Sequence, residues 1–265
     1  MFSTPKPVIG MIHVRALPGT PAGRETVRDI VTQAVAEARV YRESGVHAIA
    51  IENMHDVPYL RGSVGPEITA AMTAVAIAVR EASALPCGIQ ILAAANQEAL
   101  AVAHAADLQF VRVEGFVFAH VADEGFIESS AAALLRYRRA IGADAVQIWA
   151  DVKKKHSAHA ITADVGIGAT AAAAEFMRAD AIIVTGATTG VEPDGGDLDS
   201  VRHHTRLPVY LGSGISAENL EAFFHRASGF IIGTSFKTGG RWNEPVDPRR
   251  VDRLMRAYHT LDNAR

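Results

Sequence analysis

The chain has 265 residues, of which 49% are hydrophobic and 21% are charged, a composition typical of globular proteins. Its formal net charge of -3 argues against the broad basic surface that nucleic-acid binding requires, so no nucleic-acid partner is expected. The longest mostly apolar run, residues 70–79, is too short to span a bilayer, and the single cysteine, Cys87, excludes an internal disulfide framework. Because the N-terminus also lacks a signal-peptide pattern, we expect a cytoplasmic protein without an integral membrane segment.

Short runs rich in valine and isoleucine alternate with longer alanine-rich segments along the whole chain. The predicted strands are residues 7–14, 48–53, 88–93, 110–115, 146–152, 181–186, 208–213 and 230–235. The predicted helices are residues 26–44, 67–83, 97–106, 130–141, 168–179, 197–205, 217–227 and 248–261. Eight strand–helix units over about 250 residues predict an α/β fold, a (β/α)8 TIM barrel that forms a single domain. A doubly wound open sheet is the alternative, but its glycine-rich dinucleotide loop is missing after the first strand.

Side chains alternate between the two faces of a strand, and this parity predicts which polar residues point into the barrel. On the fourth strand, Arg112 and Glu114 share one face while Val111 and Val113 share the other. By the same alternation, the inward polar residues are His13, Glu52, Gln90, Arg112, Glu114, Gln147, Asp151 and Lys153. Most of them lie toward the carboxyl ends of their strands, where barrel active sites lie. A polar core layer that satisfies itself is the alternative interpretation, although buried charges are costly unless they are paired or functional.

Acid–base catalysis by carboxylates is the chemistry that this set favours, with Glu52 and Asp151 as the catalytic candidates. Lys153 is the third catalytic candidate, expected in the mouth beside Asp151, where it holds a carboxylate or an anionic substrate or acts as a Schiff-base amine. Lys154 is expected to be exposed or to lie in the following loop. His13 is the fourth catalytic candidate, able to polarise a carbonyl or simply to pack. The predicted substrate-binding residues are Asn53, Gln90, Arg112, Glu114 and Thr185.

A phosphate site is predicted at the ends of the seventh and eighth strands, where phosphate sites of such barrels usually lie. The predicted phosphate-binding residues are Gly212, Ser213, Gly214, Gly233, Thr234 and Ser235. Their glycines let the backbone approach a ligand, their hydroxyl groups supply hydrogen bonds, and a helix beginning near Ser216 would add N–H groups. The alternative is that tight turns after strands simply need glycine.

Two loops are longer than a connection requires, residues 115–130 and 186–197. Either is a candidate lid, and the three phenylalanines of the first equally suit a subunit contact, so we expect a homo-oligomer. No cofactor is expected and no metal site is assigned. A divalent ion stays open, since His13, Glu52 and Asp151 can converge with the two histidines at 156 and 159.

Five sequence blocks occur in a characteristic order: GMIHVRALPGTP (10–21), AIAIENMHDVPY (48–59), WADVKKKHSAH (149–159), VTGATTGVEPD (184–194) and VYLGSGIS (209–216). Through them the chain resembles the BtpA/SgcQ family over nearly its whole length. The resemblance implies a TIM barrel similar to the ribulose-phosphate-binding barrels. One branch of that family is named for photosystem I biogenesis, and the SgcQ branch, called a candidate nucleosidase, accompanies sugar-uptake and sugar-metabolism proteins.

The leading hypothesis is therefore an enzyme that acts on a phosphorylated sugar or nucleoside-like substrate, by C–N or C–O cleavage or by isomerisation. The alternative is a non-catalytic assembly factor for a membrane complex, as the biogenesis branch implies. An assembly factor needs only an outer surface, whereas charged residues inside a barrel mouth favour the enzyme.

Overall fold

The computed structural model describes residues 1–154, 156–186 and 194–264, and its centre is a closed parallel barrel. The barrel strands are β1 (Val8–His13), β2 (Ala48–Glu52), β3 (Cys87–Gln90), β4 (Phe110–Val113), β7 (Gln147–Asp151), β9 (Ala181–Val184), β10 (Val209–Leu211) and β11 (Gly229–Ile232). Neighbours pair in the order β1-β11-β10-β9-β7-β4-β3-β2, and β1 also pairs with β2 to close the ring. The predicted (β/α)8 barrel is confirmed.

Eight α-helices accompany these strands within the described residues. They are α1 (Val27–Glu43), α2 (Pro66–Ser83), α3 (Asn96–Ala105), α4 (Ala131–Ala140), α5 (Ile167–Phe176), α6 (Gly195–His204), α7 (Leu220–Phe224) and α8 (Pro248–Asn263). Thr26 and Asp29 form a reciprocal capping box at the start of α1, and Asp247 caps α8 immediately before Pro248. Along the described chain, no helix is both long and apolar enough to cross a membrane.

The lower half of the barrel interior is filled by a stack of three aromatic rings. Trp149 lies between Phe110, at 4.0 Å between ring centroids, and Tyr210, at 4.2 Å. Two glycines make room for the stack, because a Cβ on Gly88 would come within 2.2 Å of the Phe110 ring and one on Gly229 within 2.7 Å of Tyr210. The stack fills the barrel below the cavity that opens at the carboxyl ends of the strands.

A second sheet lies beside that end of the barrel and is built from the long loop after β4 together with a short strand from the segment after β7. It contains β5 (His120–Ala122), β6 (Gly125–Ile127) and β8 (Ser157–Ala158) in the antiparallel order β6-β5-β8. Val121 and Phe126 are cross-strand partners and both are exposed. The first long loop is thus ordered as a sheet, whereas most of the second candidate lid, residues 187–193, lies outside the described residues.

We predict that Gly88→Ser lowers the free energy of unfolding by about 2 kcal/mol, the cost of overpacking a core. The Phe110 ring cannot move aside because Trp149 stacks against it. Gly166→Ser is the matched control, since Gly166 caps α5 and a Cβ there meets nothing within 4 Å. Urea unfolding of both variants is the measurement, and equal midpoints for the two would contradict the packing argument.

Candidate active site

A row of polar side chains crosses adjacent strands at the top of the barrel. His13 of β1 is the Cα partner of Glu52 of β2, and Glu52 is the partner of Gln90 of β3. Arg112 continues the row on β4, since the preceding pair in the register is Ile89 with Val111. All four side chains are buried, and the residues between them along each strand pack outward in the main core. The predicted inward parity is therefore observed for this row.

Arg112 is fixed by a two-pronged ion pair with Asp151 at the end of β7. Its Nε–H donates to Asp151 Oδ2 at 2.9 Å and its Nη2–H donates to Oδ1 at 3.2 Å, and both side chains are buried. Burial by itself lowers the pKa of Arg112, but the charges of Asp151 and Glu52 outweigh it and the pKa is raised. The guanidinium therefore remains protonated and is held in one orientation.

The two lysines after Asp151 differ from expectation in their contacts. Lys153 is half-buried, and its Nζ donates to the Thr162 carbonyl at 3.0 Å instead of pairing with Asp151. Lys154, expected to be exposed or in the loop, lies in the loop but is buried, and its Nζ lies 3.1 Å from Glu114 Oε1. The cause is that β7 ends at Asp151 and Lys153 takes a left-handed φ of 46°, so the alternation of a strand no longer applies.

Two predicted substrate-binding residues contact backbone and side-chain groups of the protein itself. Asn53 Oδ1 accepts from the Leu92 amide at 2.7 Å, and Asn53 Nδ2 donates to Asp56 Oδ2 at 2.9 Å. Both ends of this amide tie the loop after β2 to the segment after β3, and the contact of Asn53 with a sugar hydroxyl stays a prediction. Glu114 likewise accepts from the Ala94 amide at 3.2 Å besides pairing with Lys154.

His13 is held by a backbone carbonyl from the segment after β11. Its Nδ1 lies 2.7 Å from the Trp242 oxygen, and its Nε2 lies 4.0 Å from Glu52 Oε2. A carbonyl oxygen can only accept, so Nδ1 carries the proton in this contact. His13 is thus an oriented member of the site.

A cavity of about 400 Å³ lies at the carboxyl ends of the strands, between this polar row and the loops after β10 and β11. His13, Glu52 and Arg112 line one part of it, and Arg250 of α8 contributes a further cationic group. All six residues predicted to bind phosphate also line it, namely Gly212, Ser213, Gly214, Gly233, Thr234 and Ser235. The structure thus gathers the predicted phosphate residues and three of the polar row around one space.

The phosphate side of this cavity depends on turns more than on a helix. Ser213 Oγ accepts from the Gly186 amide at 2.9 Å, and Gly214 takes a left-handed φ of 72°. The expected helix start near Ser216 is wrong, because α7 begins only at Leu220 and the Ser216 amide donates to Asn219 Oδ1. On the β11 side a 3-10 turn spans Thr234–Phe236, and its first N–H groups have no acceptor inside the turn.

Asp151 and Lys153 line a second, smaller cavity behind Arg112, together with Lys154 and the imidazoles of His120 and His159. Burial lowers the pKa of His120 to about 4, with a further contribution from Lys154. His120 Nε2 is one of several buried polar atoms that have no hydrogen-bond partner within the described chain, and Gln90 Oε1 and Thr185 Oγ1 are two others. Gln90 and Thr185 lie at strand ends of the mouth, but neither residue lines either of these two cavities.

Some residues of the site were not predicted from the sequence. Arg250 lies in the last helix and Trp242 in the segment before it, so strand parity gave no signal for either. Lys154 stood in the lysine block but on the wrong parity. Among the described residues no group of three His, Cys, Asp or Glu side chains is arranged to hold a metal ion.

The geometry defines the class as a (β/α)8 barrel with a charged cavity at the carboxyl ends of its strands. The profile of the BtpA family matches residues 4–260, and the chain belongs to that family. An uncharacterised mitochondrial protein of Caenorhabditis elegans is 45% identical over 259 residues, covering 96% of this chain and 93% of the relative. Photosystem I biogenesis protein BtpA of Synechocystis is 34% identical over 257 residues, covering 97% and 89%.

Solved structures confirm the barrel at low sequence identity. Orotidine 5'-monophosphate decarboxylase of Methanocaldococcus jannaschii superposes with a TM-score of 0.61 at 12% identity, covering 96% of this chain and 99% of that one. Thiamine phosphate pyrophosphorylase of Pyrococcus furiosus gives a TM-score of 0.59 at 14% identity, covering 97% and 96%. At these identities the similarity shows the fold alone.

We predict that Asp151→Asn lowers the free energy of unfolding by about 3 kcal/mol, because it leaves the buried Arg112 guanidinium without its counter-charge. Asp144→Asn is the control, since Asp144 forms an exposed pair with Arg139 and exposed pairs contribute about 0–1 kcal/mol. Denaturant unfolding monitored by Trp fluorescence measures both. A loss at Asp151 no larger than that at Asp144 would show that the pair does not hold the mouth together.

Proposed function

We propose that this protein is an enzyme that acts on a phosphorylated sugar or nucleoside-like molecule in the 400 Å³ cavity. The observation that carries the proposal is the lining of this one cavity. Glycine-rich turns line one part of it, and Glu52, His13 and the fixed guanidinium of Arg112 line another. The reaction class is C–N or C–O bond cleavage or isomerisation, since proton transfer is the chemistry that a carboxylate and an imidazole supply.

The phosphate group is bound at the loops after β10 and β11. Backbone N–H groups at the start of the Thr234–Phe236 turn, together with the Thr234 and Ser235 hydroxyls, donate to its oxygens. Arg250 supplies the positive charge, because its Nε–H already donates to the Ser235 carbonyl at 2.7 Å and its side chain lines the cavity. Gly212, Ser213 and Gly214 form the opposite wall.

Glu52 is the general acid–base group, and His13 assists it from 4.0 Å away. Arg112 stabilises negative charge that develops on the substrate, because its guanidinium lines the cavity and remains protonated. Asp151 is better suited to positioning Arg112 than to acting as the base, since both of its oxygens accept hydrogen bonds from that guanidinium. Gln90 and Thr185 stay predicted partners of substrate hydroxyls, on the ground that Gln90 Oε1 and Thr185 Oγ1 have no hydrogen-bond partner among the described residues.

The charged cavity also weighs against the alternative of a purely structural assembly factor. The name of the Synechocystis relative describes photosystem I biogenesis for that protein. Burying Glu52 and Arg112 in a barrel mouth costs folding free energy that an outer docking surface would not require. The cytoplasmic location stays a prediction, and one relative is named as mitochondrial.

We predict that inorganic phosphate raises the melting temperature of the wild-type protein and that Arg250→Met weakens phosphate binding about tenfold, as loss of one charge-assisted contact would. Arg249→Met is the matched control, because Arg249 is the neighbouring residue on α8 and is exposed. Thermal-shift titration gives both dissociation constants.

Glu52→Gln should keep the phosphate-induced shift and abolish turnover of any phosphorylated compound that the wild type converts. Screening phosphorylated sugars and nucleosides by thermal shift, followed by 31P NMR of the products, identifies such a compound. If phosphate does not raise the melting temperature of the wild type, the glycines of these loops serve only to form tight turns, and the proposed phosphate site is contradicted.

We further propose that the protein is a homo-oligomer whose contact includes the exposed side chains Phe118, Val121, Phe126 and Ile161. The predicted change is that Phe126→Ser shifts the protein toward monomer in sedimentation velocity, because it removes apolar area from the contact. Phe176→Ser is the control, since Phe176 is exposed at the end of α5, away from the second sheet. A wild-type monomer at micromolar concentration would contradict this contact.

A further inference from the structure

The segment between β11 and α8 forms a hairpin, residues 237–246, that reaches the cavity. Its base is closed by an antiparallel bridge between Lys237 and Val246 and by a hydrogen bond from the Thr238 amide to the Pro245 carbonyl. Gly240 of this hairpin lines the cavity, and the Trp242 carbonyl binds His13. The hairpin therefore joins a catalytic candidate to a distant part of the chain.

The contact with Trp242 determines which nitrogen of a neutral His13 ring carries the proton. Because Nδ1 donates its proton to the carbonyl at 2.7 Å, the lone pair of a neutral ring is on Nε2. Nε2 faces Glu52 Oε2 at 4.0 Å and also faces the β11 loop, where a Cβ on Gly233 would come within 2.8 Å of it. The reactive nitrogen thus lies between the carboxylate and the proposed phosphate loop.

The base of the hairpin is fixed by a buried ion pair with the middle of α1. Lys237 is fully buried, and its Nζ donates to Glu37 Oε2 at 2.8 Å. The other carboxylate oxygen, Glu37 Oε1, accepts from the Val246 amide at 3.2 Å. One carboxylate therefore holds both ends of the hairpin, and these contacts are expensive to break because each would leave a buried polar group unpaired.

The Glu37–Lys237 ion pair is also connected to the Thr234–Phe236 turn of the proposed phosphate site. Lys237 directly follows the Thr234–Phe236 turn, and its amide donates to the Thr234 carbonyl at 3.1 Å. On the other strand, the Asp247 amide donates to the Phe236 carbonyl at 2.8 Å. Movement of the hairpin base would therefore displace both the turn and the His13 ring.

We propose that Glu37, Lys237 and Trp242 are positioning residues for the reaction. The Glu37–Lys237 pair fixes the hairpin, and the Trp242 carbonyl fixes His13 with Nδ1 protonated and Nε2 directed at the substrate. The catalytic importance of His13 rests on the proposed function, whereas its orientation by the hairpin is measurable in the unliganded protein.

The direct test is 15N NMR of histidine-labelled protein at mildly alkaline pH, with His13→Gln used to assign the His13 signals. The wild type should show a protonated Nδ1 and an unprotonated Nε2. Trp242→Ala should give a mixture of both tautomers. The Trp242 ring contacts His55, with 5.0 Å between ring centroids, and loss of this contact would let residue 242 of the hairpin move. Trp242→Phe should retain the wild-type signal, and so should Arg241→Ala, which changes an exposed neighbour in the same hairpin.

The second arm changes the base of the hairpin. Glu37→Gln should give the same tautomer mixture and weaken phosphate binding about tenfold, since the turn shares its backbone with Lys237. Glu43→Gln, an exposed position on the same helix, should change neither quantity. If Glu37→Gln fails to fold, the Trp242→Ala result decides.

Two outcomes separate this inference from the proposed function. A single wild-type tautomer that Trp242→Ala disturbs, in a protein that shows no phosphate-induced shift, would support the hairpin's role while removing the phosphate site. A phosphate-induced shift together with a His13 tautomer that Trp242→Ala leaves unchanged, or with a proton on Nε2 in the wild type, would overturn the inference and leave the proposed function standing.

Discussion

The ion pair between Arg112 and Asp151 is the interaction on which the arrangement of the mouth depends. A guanidinium buried without a counter-charge would cost several kcal/mol, so the presence of Arg112 on β4 requires a carboxylate on the adjacent strand β7. The paired guanidinium in turn constrains the loop after β10. A Cβ on Gly212 would come within 3.3 Å of Arg112 Nη2 and within 2.5 Å of Ile183, so this loop can pass close to the barrel only with glycine there.

The interior has two layers with different tasks. Below, the stacked rings of Phe110, Trp149 and Tyr210 fill the barrel and supply apolar burial. Above, the polar row leaves a cavity that these rings close from beneath. The aromatic layer therefore stabilises the fold while burying few polar groups. The free-energy cost of burying charged groups falls on the upper layer, where the chemistry is proposed.

Much of this arrangement was predictable from the sequence because successive side chains of a strand alternate between its two faces. Valine and isoleucine on one face of a strand require the other face to point inward, and His13, Glu52, Gln90 and Arg112 lie where that rule puts them. The same rule was wrong for Lys153 and Lys154, because β7 ends at Asp151 and the left-handed residue that follows changes the direction of both side chains. Parity holds only while the backbone is extended.

The contacts that join distant parts of the chain left no sequence signal of this kind. The Trp242 carbonyl binds His13 through a backbone atom, which any residue type would supply, and the partner of Lys237 is 200 positions away in α1. Asn53 has the residue type of a ligand-binding group, yet its amide is used by neighbouring loops. Only the three-dimensional arrangement separates such structural polar groups from those that face the cavity.

The most direct measurement is a crystal structure of the protein with inorganic phosphate or a sugar phosphate bound. We predict that the phosphate group lies in the 400 Å³ cavity, with its oxygens within hydrogen-bonding reach of the Thr234–Phe236 turn and of Arg250, and that the rest of a sugar phosphate extends toward Glu52. A phosphate group bound elsewhere on the barrel, with this cavity empty at saturating ligand, would contradict it.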